Sequence, residues 1–342
     1  LRHYFWWAFK GEAARTDKWV SILATIGMAI LTVVAIFGYL RPAYARPASF
    51  AAETAVPHPT NAQFDTLVKL RGYQIAQDSV QPGDPIDIQL FWEVTAPPPG
   101  NYIFFVHLID GTETIIAQRD THPGVGHFPS SQWQTGDRFV ETIRLYLPET
   151  TYSPATAELS IGFYAPDAYR LGITAADGTL LGDSLVLDTL DILPKSNDIP
   201  NEINQNFNNQ LNLMGYEYNK RTFQSGDVLA VELLWELLTE TPREYEVQVR
   251  LSDEMDREIA RSNGRFSPET TPIDTWSPGT RVKEQHLIYI DPTYPTGSYN
   301  IHVKLIDMTT GEAQNTLAED GHVLDNRLSL SSVHVQQTEE TE

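Results

Sequence analysis

The sequence contains one short segment in which three candidate metal ligands lie close together. Asp120, His122 and His127 surround the turn-forming residues Pro123 to Gly126. Imidazole nitrogens and carboxylate oxygens are common ligands of divalent transition metals. We therefore take Asp120, His122 and His127 as the candidate metal ligands, although a solvated loop is the preferred interpretation of this segment.

Aromatic residues on predicted loops form a second candidate site, because exposed aromatic rings can stack against sugar rings. The candidates for glycan binding are Tyr152, Tyr169 and Tyr294. Other aromatic residues lie inside alternating segments or beside glycine turns, as is typical of core residues that bury about 150–250 Å² each. These predicted core residues are Trp92, Trp235, Trp133, Trp276, Tyr73 and Tyr216.

Several other chemistries are excluded or disfavoured by the residue types. The absence of cysteine excludes disulfides, thiolate catalysis and cysteine-bound zinc. Asp253, Glu254 and Asp256 crowd one turn, but they lack the glycine and the distal glutamate of a calcium loop. A hydrolytic pair of carboxylates cannot be selected among 45 acidic residues without geometry. We predict no cofactor and no catalytic residue in this chain, and a β-sandwich hydrolase is the least favoured hypothesis.

A constant offset of 143 residues relates the two halves of the chain. The offset maps Gly72-Tyr73 onto Gly215-Tyr216 and Trp92-Glu93 onto Trp235-Glu236, and it holds as far as Leu330, the counterpart of Leu187. Chance does not preserve one offset over about 120 residues. We predict two copies of one domain, at 60–193 and 203–336. The second copy has Asn263, Arg265 and Thr270 in place of the candidate metal ligands, so the fold does not require those ligands.

Each copy has the pattern of a series of short strands rather than helices. Segments such as 86–92 alternate apolar and polar residues, and Gly, Pro and Asp turns separate them. Strands at this spacing indicate an antiparallel β-sandwich. The predicted fold class is all-β, with two tandem Ig-like antiparallel β-sandwiches preceded by one transmembrane α-helix. Further strands are predicted at 102–109, 139–147, 157–164 and 184–192, and in the second copy at 229–235, 245–251, 282–290, 299–306 and 327–335.

The segment 19–40 has no charged residue and is long enough to cross a bilayer. Arg2, Lys10, Arg15 and Lys18 precede this segment, whereas only Arg41 and Arg46 follow it closely. The positive-inside rule therefore predicts a single-pass protein of the cell membrane with a cytoplasmic N-terminus and an extracytoplasmic body. A cleaved signal peptide is the alternative, because the residues 43–45 (Ala-Tyr-Ala) fit a cleavage pattern.

These features divide the chain into seven segments. The short polar linker between the two copies predicts that they sit end to end. Because the chain begins at Leu1 and then continues with an aromatic cluster, we expect it to be part of a longer protein. The predicted segments are a cytoplasmic or interfacial segment 1–18, the transmembrane helix 19–40, a Pro/Ala-rich linker 41–59, the sandwich 60–193, a linker 194–202, the sandwich 203–336 and an acidic tail 337–342.

The charge distribution bears on the partners of the protein. The formal net charge is −21, and the 296 residues after Arg46 hold 43 acidic and 18 basic side chains. An acidic body repels phosphate backbones, so we predict no nucleic-acid partner. The predicted partners are membrane lipid, cell-envelope glycans and other transmembrane helices. Ser21, Thr25 and Ala29 form a row of small residues that could pack against such a helix.

The order of motifs resembles the C-terminal end of bacterial membrane glycosyltransferases of family 39, the protein O-mannosyltransferase-like group. The resemblance runs from the membrane helix to about residue 335. It implies a parent enzyme that transfers sugar from a polyprenyl-phosphate donor, with its catalytic carboxylate in a multi-span region that is absent from this sequence. The matching residues are the 41–47 segment, Asn61, Phe64, Leu70, Gly72 and Tyr73 with their counterparts Asn204, Phe207, Leu213, Gly215 and Tyr216, then 82–84, 90–92, 105–108, Trp133 and Gly136.

Two functional hypotheses follow from the sequence. In the first, the chain is the non-catalytic accessory part of a membrane glycosyltransferase and positions glycans or acceptors near the membrane. In the second, it is a free-standing single-span surface protein whose sandwiches bind a glycan or a protein partner. The ligand, the oligomeric state and any division of roles between the two copies stay open at this stage.

Overall fold

The computed structural model describes residues 15–41, 44–240, 243–266 and 273–337. Most of the predicted segment 1–18 and nearly all of the predicted tail 337–342 therefore lie outside the described residues. The described chain begins with the helix α1 (Arg15–Val34), which continues as a π-helical stretch, Ala35–Leu40. Short 3-10 turns occur at Ser130–Gln132 and Ile273–Thr275.

The N-terminal helical segment is a candidate membrane span. Val20–Leu40 is 21 residues long and strongly apolar, and none of it is buried against the rest of the protein. At 1.5 Å per residue this stretch is about 32 Å long, enough to cross a hydrocarbon layer of about 30 Å. An apolar helix of this length is stable outside a protein core only in lipid, so the predicted membrane helix at 19–40 is confirmed as a candidate span.

The first sandwich contains two sheets that pack face to face. The larger sheet has the strand order β1-β8-β5-β3-β2-β10-β11, and the smaller sheet has the order β4-β12-β9-β6-β7. All pairings are antiparallel except that between β4 and β12. The strands are β1 (Ala48–Ser49), β2 (Pro59–Phe64), β3 (Val68–Ile75), β4 (Ser79–Val80), β5 (Pro85–Val94), β6 (Ile103–Asp110), β7 (Ile115–Thr121), β8 (Arg138–Tyr146), β9 (Ala155–Tyr164), β10 (Ile173–Thr174), β11 (Leu180–Gly182) and β12 (Leu185–Ile192).

The second sandwich repeats this topology strand for strand. Its sheets have the orders β19-β16-β14-β13-β21-β22 and β15-β23-β20-β17-β18. Only β1 has no counterpart there, since β1 belongs to the connection from the membrane helix. The predicted tandem of all-β sandwiches is confirmed. The strands are β13 (Glu202–Phe207), β14 (Leu211–Tyr218), β15 (Thr222–Gln224), β16 (Val228–Leu237), β17 (Tyr245–Ser252), β18 (Glu258–Arg265), β19 (Arg281–Tyr289), β20 (Gly297–Asp307), β21 (Thr316–Leu317), β22 (Val323–Asp325) and β23 (Leu328–Gln336).

A tryptophan lies at the centre of each core. Trp92 on β5 is buried, with ring centroids 5.3 Å from Phe64 and 5.2 Å from Phe163. Trp235 occupies the same place on β16, 5.3 Å from Phe207. Edge-to-face packing of this kind adds to the free energy gained from burying the rings. The alternating pattern of each strand thus places its apolar face between the two sheets.

The other repeated aromatic residues differ between the two copies. Trp133 is buried, and its Nε1–H donates to the carbonyl oxygen of Phe128 at 3.1 Å, whereas its counterpart Trp276 is half-buried. The hydroxyl of Tyr73 donates to the carbonyl oxygen of Leu187 across the first sandwich at 2.5 Å. These aromatic residues therefore serve packing between the sheets.

The two sandwiches touch through the loops at one end of each, as an end-to-end arrangement requires. In the first copy these loops are 111–114 and 147–154, which we call the junction end. The hydroxyl of Tyr216 donates to the carbonyl oxygen of Thr150 at 2.5 Å, and the backbone N–H of Ser153 donates to Asn201 Oδ1 at 2.7 Å. Arg221 forms an ion pair with Asp110 at 2.8 Å, with both side chains nearly buried. The two sandwiches are thus joined by hydrogen bonds and by an ion pair that is largely removed from water.

Candidate functional site

The chain that follows the membrane helix is packed along the first sandwich. We call residues 44–58 the strap. Strand β1 of the strap pairs with β8 at Phe139 and Val140. The ring of Phe50 lies 5.6 Å from that of Phe91 in an edge-to-face contact. The predicted linker 41–59 is therefore not a free spacer over these residues, because it forms part of the sheet edge.

A glycine explains how the strap comes so close to the sheet. A Cβ atom at Gly72 would overlap the carbonyl oxygen of Pro57. Gly215, the counterpart of Gly72, has the same relation to Pro200 in the linker before the second sandwich. Both copies therefore bind the preceding chain against the same strand.

Replacing Gly72 by alanine is expected to loosen the strap and to destabilise the first sandwich by about 1–3 kcal/mol, as overpacking does elsewhere. Protease cleavage within residues 44–58 and urea unfolding would measure these two effects. Gly100→Ala is the matched control, because a Cβ there meets nothing within 4 Å. Equal protease sensitivity in the two variants would contradict this interpretation.

A cavity of about 600 Å³ lies where the strap meets the first sandwich. We call it the strap cavity. It lies over the middle of β5 and β8, beside the loop 122–137. We call the end of the sandwich formed by loops 95–102, 122–137 and 165–184 the proximal end. The lining is mostly neutral and combines apolar and polar groups. The lining residues are Ala45, Pro47, Ala48, Gln89, Phe91, Gly124, Val125, His127, Val140, Glu141 and Thr142.

Glu141 is the one acidic residue among those lining residues. It lies on β8 in the alternation that directs Phe139, Ile143 and Leu145 into the core, and 2% of it is exposed. Its Oε2 accepts a hydrogen bond from the backbone N–H of Gly124 at 2.7 Å. Burial raises the pKa of the Glu141 carboxyl to about 7, against the opposing effects of backbone hydrogen bonds and the charge of Arg119. A carboxyl with this pKa is present in both protonation states near neutral pH.

The loop that covers Glu141 has an unusual backbone. Gly124, Val125 and Gly126 have φ angles of +67°, +51° and +86°. Glycine adopts such angles readily, but a β-branched residue rarely does. Val125 is nevertheless 46% exposed, so burial of its side chain does not account for the conformation. The hydrogen bond from Gly124 to Glu141 helps to hold this loop in place.

The second sandwich has the buried acid but not the neutral cavity. Glu284, the counterpart of Glu141, lies 2.8 Å from His286 Nε2, and burial raises the pKa of its carboxyl. Gln89 is replaced by Glu232, which forms an ion pair with Lys283. The cavity at this place is smaller, about 210 Å³. Among the described residues, the cavity of the first sandwich is the larger of the two and lacks the ion pair between Glu232 and Lys283.

No known relative indicates which ligand the strap cavity binds. Comparison of the sequence with models of known protein families and with curated protein sequences finds no match. The resemblance to family 39 glycosyltransferases stays a prediction, and no residue role is transferred from a relative.

The three candidate metal ligands are not brought together. Asp120 lies 3.2 Å from His107 Nε2 and accepts a hydrogen bond from Tyr164 at 2.9 Å. His122 Nδ1 lies 3.1 Å from a backbone carbonyl, and His127 packs against a tyrosine ring of the strap. Over the described ranges, no group of three or more His, Asp or Glu side chains is arranged to hold a metal ion.

The three candidate glycan-binding tyrosines lie in different places. Tyr152 belongs to the junction end, where its ring stacks on Tyr218 at 5.6 Å and the guanidinium of Arg221 lies 4.8 Å from its centroid. Tyr294 is half-buried against the second core. Tyr169 is 56% exposed at the proximal end. Of the three, only Tyr169 presents an open ring, and its role in glycan binding stays a prediction.

A serine, histidine and aspartate cluster in the second sandwich does not have the geometry of a hydrolase. Ser252 Oγ and Asp256 Oδ1 both approach Nε2 of His302, at 3.1 Å and 3.4 Å. In a catalytic triad the acid and the nucleophile contact opposite ring nitrogens. Ser252 is also fully buried, so a substrate cannot reach its hydroxyl.

Glu141 was not among the residues that the sequence pattern suggested as a functional site. The signal was present, because an acidic residue stands on the inward phase of an alternating strand, between Phe139 and Ile143. A charged residue in that phase must lose water on folding, which is the condition for a raised carboxyl pKa.

Proposed function

We propose that the chain is a membrane-anchored, extracytoplasmic accessory region that holds a glycan or a glycan acceptor at the membrane surface for a glycosyltransferase. The strap cavity is the proposed binding site. The catalytic step belongs to the multi-span region that the family resemblance implies. This chain contributes anchoring, orientation and binding.

The observation that carries the proposal is the position of the cavity. Ala45, Pro47 and Ala48 line it, and they follow within eight residues of Leu40, the end of the apolar span. A ligand bound there is therefore held close to the bilayer. Lipid-linked sugars are confined to the same layer, so this position suits a site that presents an acceptor to a membrane-embedded enzyme.

The lining of the cavity suits a sugar. Phe91 offers an aromatic ring for the apolar face of a pyranose, and the Gln89 amide and the Thr142 hydroxyl can donate and accept hydrogen bonds. The volume lies within the range of about 300–1,000 Å³ typical of small-molecule sites.

The extracytoplasmic orientation is supported by the charge asymmetry around the span. Four basic residues precede the apolar segment, and the body that follows is strongly acidic. Basic residues are retained on the cytoplasmic side, and this rule favours sandwiches in the compartment where envelope glycans occur.

Glycan binding by the full chain in lipid nanodiscs, measured against a panel of neutral oligosaccharides, would test the proposal. Phe91→Ala is expected to weaken binding about tenfold, since the loss of a stacking ring costs about 1.4 kcal/mol. Leu234→Ala, at the counterpart of Phe91 in the second sandwich, is the matched control and is expected to leave binding unchanged. Absence of binding to every oligosaccharide, or equal losses in both variants, would overturn the proposal.

A second measurement separates the accessory role from a free-standing surface protein. The coding sequence upstream of Leu1 is expected to continue through further hydrophobic spans with acidic residues in an outward loop. A start codon directly upstream would exclude the parent enzyme and leave glycan binding as the function of a single-span protein.

A further inference from the structure

One loop of the first sandwich, 122–128, packs against the chain that directly follows the membrane anchor. The backbone N–H of Tyr44 donates to the carbonyl oxygen of Leu40 at 3.0 Å, so Tyr44 lies within one helical turn of the end of the apolar span. The ring of Tyr44 packs against that of His127 at a centroid distance of 4.6 Å. The loop that contains His127 is therefore at the level of the lipid headgroups, which extend about 5–7 Å beyond the hydrocarbon on each side.

The surface presented at this level is apolar and aromatic. Tyr44 is 67% exposed and Val125 is 46% exposed. Tyrosine favours the interface between lipid and water, because its ring is apolar and its hydroxyl is polar. The guanidinium of Arg46 lies 5.0 Å from the ring centroid of Phe128, so the strap adds a cation beside the same loop.

The position of residues 124–126 beside the membrane gives a reason for their strained backbone. Val125 stands at a positive φ between two glycines, and the loop is fixed from behind by the hydrogen bond between Gly124 and Glu141. Strain that surrounding contacts maintain is typical of sites with a function. The exposed valine at the tip of the loop is directed away from the core, as a residue that enters an apolar phase would be.

The charges of the proximal end indicate whether its contact with lipid is electrostatic or apolar. Loops 95–102, 122–137 and 165–184 hold four aspartates and one arginine. Such an end is not attracted to anionic headgroups, so the contact would depend on apolar and aromatic burial.

We infer that the loop Pro123–Phe128, together with Tyr44, enters the interfacial layer of the bilayer that the same chain spans. The first sandwich then contacts the membrane through this loop, and the second sandwich extends from the junction end. The strap cavity opens at the lipid surface. The partner is a lipid bilayer and not a second protein, because only three residues separate the span at Leu40 from Tyr44, and Tyr44 packs against His127 of the loop.

The absence of native cysteine makes a direct test possible. Val125→Cys, in the full chain in phosphatidylcholine nanodiscs, would carry an environment-sensitive fluorophore. Lipids with a nitroxide near the top of the acyl chain are expected to quench this label strongly, and aqueous iodide is expected to quench it weakly. Asn209→Cys is the control, since Asn209 lies in an exposed turn at the far end of the second sandwich. The label at residue 209 is expected to be quenched strongly by iodide and weakly by nitroxide lipid.

Two further measurements could contradict the inference. The same label on Tyr44→Cys measures the depth of the strap in the bilayer. It replaces the label at residue 125 if Val125→Cys does not fold. Quenching by nitroxide lipid is expected to persist at about 1 M salt, where the Debye length is about 3 Å. Labels at residues 125 and 44 that iodide quenches as strongly as the label at 209 would overturn the inference, and so would loss of lipid quenching in salt. Neither readout requires a glycan, so this inference and the proposed function can fail independently.

Discussion

Replacing Glu141 by glutamine is expected to stabilise the first sandwich by about 3 kcal/mol at pH 8 and to leave its stability unchanged near pH 4. The carboxyl ionises at about pH 4.5 in the unfolded chain, whereas burial raises its pKa to about 7 in the folded state. Each pKa unit corresponds to about 1.4 kcal/mol, which gives about 3 kcal/mol for this difference. Glutamine keeps an acceptor for the Gly124 N–H and has no charge to desolvate.

The sign of the pH dependence follows from which state binds the proton more tightly. The folded state holds the proton over the interval between about pH 4.5 and pH 7 in which the unfolded state has lost it. The contribution of Glu141 to stability is therefore present below pH 4.5 and is lost as the pH rises through 7. The difference between wild type and Glu141→Gln should grow across this interval and then stay constant.

Hydrogen–deuterium exchange of the β5 and β8 amides would measure this difference, because it reports the first sandwich separately from the second. Thr142→Ala, at the next position of β8 and exposed, is the matched control and should follow the wild-type pH profile. Parallel profiles for wild type and Glu141→Gln would mean that the carboxyl ionises normally and that water reaches it in the strap cavity.

The fold was largely predictable because each copy satisfies the same simple rules. Alternating segments bounded by Gly, Pro and Asp turns predicted the main strands. The predicted strand 139–147 corresponds to β8 (Arg138–Tyr146), and 282–290 corresponds to β19 (Arg281–Tyr289). The repeat gave two sequence patterns for each strand, one in each copy. A strand boundary that was uncertain in one copy could therefore be checked against its counterpart.

The short edge strands were not predictable in the same way. β10 and β11 contain two and three residues, too few for alternation to be visible, and β11 is exposed throughout. β1 forms only because the strap is held against β8, a contact between parts of the chain about 90 residues apart. Pairing of this kind depends on tertiary structure, which local pattern cannot supply.

The candidate site was the least predictable part, for a physical reason. Residue type suggested metal ligands at Asp120, His122 and His127, but strand register and loop geometry send their side chains to different partners. The strap cavity, in contrast, depends on where a linker packs. The Glu141 carboxyl is buried, and its pKa is raised, only in the folded chain, where the loop at Gly124 covers it.

Replacing Arg221 by methionine is expected to separate the two sandwiches. The Arg221 guanidinium pairs with Asp110 at 2.8 Å, and the two side chains are 13% and 4% exposed. The variant keeps most of the apolar stem but leaves the buried Asp110 carboxylate without its cationic partner. Removing one partner of a buried pair typically costs about 3–5 kcal/mol. The first copy has Asp78 at the position equivalent to Arg221, so this pair serves the junction and not the fold of a single sandwich.

Spin labels at Gln118→Cys and Gln285→Cys, one on each sandwich, would measure the separation. We expect a narrow distance distribution in the otherwise wild-type chain and a broad one with Arg221→Met. Arg257→Met removes the exposed ion pair with Asp253 within the second sandwich, so it should change the distribution little. Asp110→Asn should have an intermediate effect, because asparagine can still accept the hydrogen bonds from Thr112 and Thr114. A distribution that stays narrow in Arg221→Met would show that Tyr152, Tyr216 and the linker hold the junction without the ion pair.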